Sequence, residues 1–138
     1  MKPVIYSPKG ENLMKLSTLF TLNAIVSAMF GITFVFVPET AMSFYGATLS
    51  PGGALVARLF GAVLLGIAVL TWFARNAGES EARKAIVLSR FFCETAGFIV
   101  ALLGQLAGAV NALGWSTVAI YMLFALGYGY FQFMKPGT

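Results

Sequence analysis

The sequence predicts an all-α integral membrane protein, a four-helix bundle that forms a single domain over residues 1–138. Three observations support this fold class. Hydrophobic residues make up 59% of the chain and charged residues only 10%, whereas soluble domains carry about 25% charged residues. The apolar residues fall into four runs, each long enough to cross a hydrocarbon layer of roughly 30 Å as a helix. Basic residues lie beside these runs, mainly on one side of the predicted membrane.

The first predicted span covers residues 16–37 and follows a short polar leader that carries Lys2, Lys9 and Lys15. A basic leader before an apolar run is also typical of a secretory signal, but signal cores are only about 7 to 15 residues long. The run here is longer, and Pro38–Thr40 after it does not resemble a small-residue cleavage site. We therefore expect a membrane helix.

A short helix at the membrane interface is predicted over residues 38–45. Pro38 stands at its start, Glu39 lies in its first turn and Gly46 follows its end, and these are common signals of helix boundaries. The second span is then predicted over residues 54–74, where apolar residues again dominate.

The third predicted span, residues 85–105, follows the most polar loop of the chain. A short uncharged link then leads to the fourth span, residues 113–133. Small residues recur on one face of each of the first two helices, including Gly31 and Gly61. Because there is little hydrophobic force between helices in lipid, close approach at small residues favours their association.

The distribution of basic residues predicts the orientation of the chain. Cytoplasmic loops of membrane proteins carry an excess of Lys and Arg. Here the segments on one side of the four spans hold all the basic residues that lie outside the spans, and the loops on the other side hold none. We therefore expect a bacterial cytoplasmic (inner) membrane protein with both termini in the cytoplasm. The residues that decide this are Lys2, Lys9, Lys15, Arg75, Arg83, Lys84 and Lys135.

The third span carries two opposite charges near its middle, Arg90 and Glu94. One such charge costs roughly 2.5 to 3.5 kcal/mol at the centre of an inserted helix. Glycine, alanine and glutamine share the helix face that holds both charges, so this face should point into the bundle. Two interpretations remain open: an ion pair that fixes helix register, and a site for a ligand or a proton.

Depth along the helices predicts which groups meet this pair. Because the fourth span runs back through the membrane, Tyr128 should lie near the depth of Arg90. By the same count, Tyr121 should lie near the depth of Glu94. Asn23 on the first span falls at about the level of Arg90. These residues are therefore expected to form a buried polar cluster.

Arg58 lies one turn inside the second span. This depth is shallow enough for its side chain to extend to the interface, but its long stem is also able to reach toward Glu94. We expect it at the outer rim of the cluster. The predicted binding site is an intramembrane polar cluster of Asn23, Arg58, Arg90, Glu94, Tyr121 and Tyr128.

Several chemistries find no support in the sequence. The chain has no histidine and no aspartate, so the usual general base and Asp-based catalytic triads are absent. It has no phosphate-binding loop. Its single cysteine, Cys93, is expected to be a small buried apolar side chain. We therefore expect no catalytic residue, no metal site and no cofactor, and the basic residues flank apolar spans rather than form a nucleic-acid-binding patch.

Three stretches carry a family resemblance: Pro38 to Gly46 after the first span, Val56 to Ala62 at the start of the second, and Trp72 to Arg75 at its end. They resemble uncharacterised bacterial four-helix membrane families and are more distantly similar to DoxX-like and Erg28-like proteins. The resemblance implies a four-span bundle. Its Erg28-like side implies a scaffold that gathers membrane enzymes, and its DoxX-like side implies a partner of a redox complex.

The expected function is that of a non-catalytic accessory or scaffold subunit of a membrane protein complex. Its partners are then the lipid bilayer and either other membrane subunits or a second copy of the chain. A first alternative is a binder or carrier of a lipophilic molecule such as a quinone or a lipid, held at the Arg, Glu and Tyr cluster. A second alternative is a small membrane enzyme that uses Glu94 for proton transfer.

Overall fold

The structure, a computed structural model, describes residues 15–134, and within this range the chain is helical and contains no strand. Four helical segments are long and apolar enough to cross a membrane. Lys2, Lys9 and Lys135, which contribute to the predicted orientation, lie outside the described residues. The helices are α1 (Leu16–Phe36), α2 (Pro38–Phe44), α3 (Pro51–Ala74), α4 (Glu81–Leu106) and α5 (Gly114–Gly129), and a π-helical turn (Tyr130–Met134) extends α5.

Serine caps place two helix starts earlier than the sequence predicted. The Ser50 hydroxyl accepts a hydrogen bond from the backbone N–H of Gly53 at 3.0 Å, and Pro51 takes the first helical position. As a result, α3 begins three residues before the predicted start. The Ser80 hydroxyl accepts from the backbone N–H of Arg83 at 3.1 Å in the same way, so α4 begins four residues early.

The long helices form two hairpins. The first hairpin consists of α1 packed along α3, and the second consists of α4 packed along α5. Glycines bring the backbones of the first hairpin together: a Cβ on Gly61 would lie 2.8 Å from the Val35 nitrogen and 2.9 Å from the Gly31 oxygen. Gly31 and Gly61, which the sequence placed among the small residues of these helices, are therefore at the helix contact.

An apolar cluster joins the two hairpins at the end that carries Lys15, Arg75 and Lys84, here called the basic end. Phe20 of α1 and Tyr128 of α5 are only 1% and 0% exposed, and their ring centroids are 5.9 Å apart. Buried apolar contact of this kind holds the hairpins together in a fixed position. The full cluster is Leu16, Leu19, Phe20, Ala74, Val87, Tyr128 and Phe131.

Hydrogen bonds join the hairpins at the opposite end, here called the loop end. Asn111, between α4 and α5, donates from its backbone N–H to the Tyr45 carbonyl at 2.8 Å and from Nδ2 to the Phe44 carbonyl at 2.9 Å. The Tyr45 hydroxyl lies 3.1 Å from the Thr117 hydroxyl. Gly46 has a φ of 74° and packs against the Asn111 side chain, a conformation that glycine adopts at little cost. The hairpins are thus joined at both ends.

Candidate functional site

A buried hydrogen-bonded network connects both hairpins near the basic end. Arg90 and Glu94, one turn apart on α4, form an ion pair and are only 5% and 3% exposed. Arg90 donates from Nε to Asn23 Oδ1 at 3.1 Å, and the Tyr128 hydroxyl donates to the same oxygen at 2.7 Å. Asn23 in turn donates from Nδ2 to the Ser27 hydroxyl at 3.2 Å. Three long helices therefore meet at one asparagine.

The network lies at a single depth in the bundle. Asn23 is seven residues past the start of α1, and Tyr128 is six residues before the end of the fourth apolar segment. At 1.5 Å per residue, both lie about 10 Å from the same end of the bundle. The structure therefore brings Asn23 and Tyr128 to Arg90, as depth counting predicted.

The ion pair is stabilised by internal partners rather than by water. Removing two charges from water costs several kcal/mol per ion, and good geometry with further hydrogen bonds is needed to offset that cost. Glu94 balances the charge of Arg90, and Asn23 accepts a further hydrogen bond from the guanidinium. The charges of Arg90 and Glu94 therefore cancel within the site.

Tyr121 packs across from a glycine of α4. A Cβ on Gly97 would lie 2.2 Å from Cε1 of the Tyr121 ring, so any larger residue there would displace the ring. Within residues 15–134, the Tyr121 hydroxyl makes no hydrogen bond to another side chain or to the backbone. Tyr121 is thus held by packing at its ring, and its polar atom is left available.

Between the apolar cluster and the loop end, the hairpins separate around a cavity of about 310 Å³. Asn23, Ser27, Arg90, Glu94 and Tyr121 form its polar side. The remaining wall is chiefly apolar and aromatic, and it includes Phe30, Phe34, Phe60, Val63, Leu64 and Phe124. Cavities that are mostly apolar with a few convergent polar groups are the usual form of small-molecule sites.

The cavity is also lined by residues that are exposed at the surface of the bundle. The helices α3 and α4 hardly approach each other, and Val63 of α3 and Cys93 of α4 both line the cavity and are exposed. The expectation that Cys93 is buried was therefore wrong. Cys93 lies on the side of α4 that faces the gap to α3.

Arg58 is not brought to the cluster. Its guanidinium lies 3.5 Å from the Glu39 carboxylate of α2 and donates hydrogen bonds to the carbonyls of Val35 and Phe36. The last carbonyls of a helix lack partners within that helix and attract a positive charge. The C-terminal end of α1 therefore holds Arg58 at the loop end, and the prediction that it lies at the outer rim of the cluster was wrong.

Two residues at the site were not predicted as parts of it. The Ser27 hydroxyl accepts the hydrogen bond from Asn23 and lines the cavity. Gly97, on the face of α4 that holds both charges, determines where the Tyr121 ring lies. The spacing of Ser27 one turn after Asn23 was a usable signal, since residues four apart on a helix are neighbours.

The fold and the site define a class: an all-helical chain over its described residues, with four long apolar helices that suggest a membrane protein. The chain belongs to the family described as Domain of unknown function (DUF8292), whose model matches residues 2–134. No curated protein and no solved structure matched the chain. The match agrees with the expected resemblance to an uncharacterised family, whereas similarity to DoxX-like or Erg28-like proteins is not shown.

Proposed function

We propose that this protein is a multi-pass membrane protein that binds a lipophilic small molecule in the cavity between its two hairpins. The observation that carries this proposal is the cavity itself, about 310 Å³ in volume, with apolar walls and a buried polar side. Its volume lies at the lower end of the roughly 300–1,000 Å³ found for ligand pockets. A drug-sized molecule fits such a space, whereas most of a two-chain phospholipid would extend beyond it.

The scaffold and enzyme hypotheses receive less support from the geometry. A scaffold that acts through its outer helix faces has no need of an internal cavity. An enzyme that uses Glu94 for proton transfer needs a carboxylate that is available to exchange protons with a substrate, but this carboxylate is already committed to an ion pair with Arg90. Binding therefore accounts for both the cavity and the polar side with the fewest added assumptions.

Retention of a ligand tests the proposal directly. We expect the full chain, purified in mild detergent, to retain about one lipophilic molecule per chain in native mass spectrometry. Ala101→Phe adds a ring at a position that lines the cavity and should abolish retention. Val100→Phe is the matched control, because Val100 on the same helix is 70% exposed, and this variant should retain the molecule.

Two results would contradict this proposal. One is a wild-type chain that retains no small molecule but purifies with a stoichiometric protein partner, which supports the scaffold hypothesis. The other is equal retention in Ala101→Phe and Val100→Phe, which shows that the retained molecule lies outside the cavity.

We also propose that the chain crosses the membrane of a bacterial cell four times with both termini in the cytoplasm. The basic end carries Lys15, Arg75 and Lys84, and at the loop end Arg58 is paired with Glu39. An excess of Lys and Arg marks the cytoplasmic side of a membrane protein. The positions of these charges support the orientation proposed from the sequence.

Cysteine labelling tests this orientation. In a Cys93→Ala background, Thr48→Cys places a thiol in the exposed segment before α3, and Gly78→Cys places one in the loop before α4. A maleimide that cannot cross membranes should label Thr48→Cys in intact spheroplasts, and it should label Gly78→Cys only after permeabilisation. The opposite pattern would mean that both termini lie outside the cytoplasm.

A further inference from the structure

We infer that the cavity binds an uncharged molecule whose flat ring carries an oxygen acceptor, and that the Tyr121 hydroxyl donates the hydrogen bond that holds this oxygen. The inference rests on the proposed function, because it names the class of ligand for the same cavity. Four features of the site lead to it: its charge, the Tyr121 hydroxyl that has no partner within residues 15–134, its aromatic walls and its opening between α3 and α4.

The charge of the site favours a neutral ligand. The guanidinium of Arg90 is already paired with Glu94 and bonded to Asn23. A carboxylate or phosphate head group would have to displace Glu94 from Arg90 or enter the cavity with its own charge uncompensated. Burying an unpaired charge costs far more than burying a hydrogen-bonded neutral group. Both anionic and cationic head groups are therefore disfavoured.

The hydrogen-bonding capacity of the site favours an acceptor on the ligand. Asn23 Oδ1 already accepts two hydrogen bonds, from Arg90 and Tyr128. Tyr121 lines the same cavity, and no partner for its hydroxyl exists within residues 15–134. A phenolic hydroxyl readily donates to a carbonyl or ether oxygen. Tyr121 is therefore the specificity-determining donor.

The position of that donor is fixed by packing. Gly97 leaves the room that the Tyr121 ring occupies against α4, since a Cβ there would overlap the ring. The hydroxyl is thus held in place before a ligand arrives, which lowers the entropy lost on binding. Gly97 acts as a positioning residue for Tyr121.

The walls of the cavity favour a flat ring. Phe30, Phe34 and Phe60 line it from the first hairpin, and Phe124 lines it from α5. The Phe34 and Phe60 rings meet edge to face, with their centroids 5.5 Å apart. Aromatic rings pack well against a further ring in offset or edge-on arrangements.

The opening between α3 and α4 favours a ligand that comes from the bilayer. Val63 and Cys93, which line the cavity, are exposed where the two helices hardly approach each other. At the loop end, by contrast, Asn111 and Tyr45 connect the two hairpins. An apolar tail on the ligand is therefore able to extend through the side opening into lipid.

Cys93 is the single cysteine of the chain and reports occupancy of the cavity. The test uses the full wild-type chain, stripped of lipid in detergent, and four probes with apolar tails of nine or ten carbons. The probes are a fully substituted 1,4-benzoquinone with a decyl chain, decylbenzene, decanoic acid and decyltrimethylammonium. Mass spectrometry follows the alkylation of Cys93 by N-ethylmaleimide. We expect the quinone probe to slow alkylation about tenfold at saturation, and the other three to have little effect.

Single substitutions then test whether the Tyr121 hydroxyl is the donor to the ligand oxygen. Tyr121→Phe removes only the hydroxyl and should weaken binding of the quinone probe by about 2- to 10-fold, the range expected for one neutral hydrogen bond. Tyr130→Phe is the matched control, since Tyr130 packs against Phe131 in the π-helical turn and should leave binding unchanged. Gly97→Ala should weaken binding at least as much as Tyr121→Phe, because it displaces the ring.

The outcomes separate this inference from the proposed function. Equal protection by decylbenzene, by decanoic acid or by decyltrimethylammonium, or equal affinity in Tyr121→Phe and Tyr130→Phe, would overturn the inference and leave binding in the cavity standing. Protection by no probe, together with no retained molecule in the wild-type chain, would overturn both.

Discussion

Glu94→Leu is expected to lower the free energy of unfolding by about 3 to 5 kcal/mol, the usual cost of removing one partner from a buried ion pair. The guanidinium of Arg90 would keep its hydrogen bond to Asn23 but would lose the carboxylate that balances its charge. Thermal unfolding of the detergent-solubilised chain measures the loss. The same assay should show Arg90→Leu to be comparably destabilised, because it leaves the carboxylate buried.

A control for this prediction exists on the same helix. Glu81 and Lys84 also form an ion pair, at 3.3 Å, but their side chains are 93% and 48% exposed. Exposed pairs contribute only about 0 to 1 kcal/mol, so Glu81→Leu should have a small effect. If Glu94→Leu proves no more harmful than Glu81→Leu, the buried pair is merely tolerated.

The double variant Arg90→Leu/Glu94→Leu separates the two interpretations of the pair. Replacing a buried pair with apolar residues of similar volume is often neutral or stabilising, and Tyr128 would keep its hydrogen bond to Asn23. We expect the double variant to regain most of the stability that each single variant loses. Loss of the retained molecule from this stable double variant would then show that the pair also serves the ligand.

The fold could be predicted from the sequence to a large extent because each long helix depends on local information. Apolar runs define the spans, and Pro38 and Gly46 mark the short helix between the first two spans. The errors in helix starts have a local cause as well. The predicted second span left out Pro51, although proline is common at the first position of a helix, and the predicted third span left out the turn that follows the Ser80 cap.

The polar network could be predicted because helix rise converts sequence position into depth. Asn23, Arg90 and Tyr128 lie on different helices, but counting residues from the membrane boundaries was sufficient to place them together. The count says nothing about lateral position. For that reason the sequence did not reveal that Arg58 is held by Glu39 at the end of α1.

The cavity could not be predicted because it depends on contacts between distant parts of the chain. It exists where the hairpins separate between the apolar cluster around Phe20 and the hydrogen bonds of Asn111. Asn111 meets Tyr45 across 66 positions of sequence, and no periodicity of the helices encodes that contact. The gap between α3 and α4 arises in the same way, from how the two hairpins are oriented.

Gly61→Leu should destabilise the first hairpin by about 1 to 3 kcal/mol, the usual cost of forcing extra atoms into a packed contact. A Cβ on Gly61 would lie 2.8 Å from the Val35 nitrogen and 2.9 Å from the Gly31 oxygen, which are backbone atoms and cannot rotate away. The helices would have to separate, and packing contacts along α1 and α3 would be lost. Thermal unfolding in detergent measures the effect.

Gly66→Leu is the matched control on the same helix. Nothing lies within 4 Å of a Cβ placed on Gly66, and leucine favours a helix over glycine by up to about 1 kcal/mol. The control should therefore be neutral or slightly more stable than the wild-type chain. Equal stability of Gly61→Leu and Gly66→Leu would mean that the backbones of α1 and α3 are not in contact.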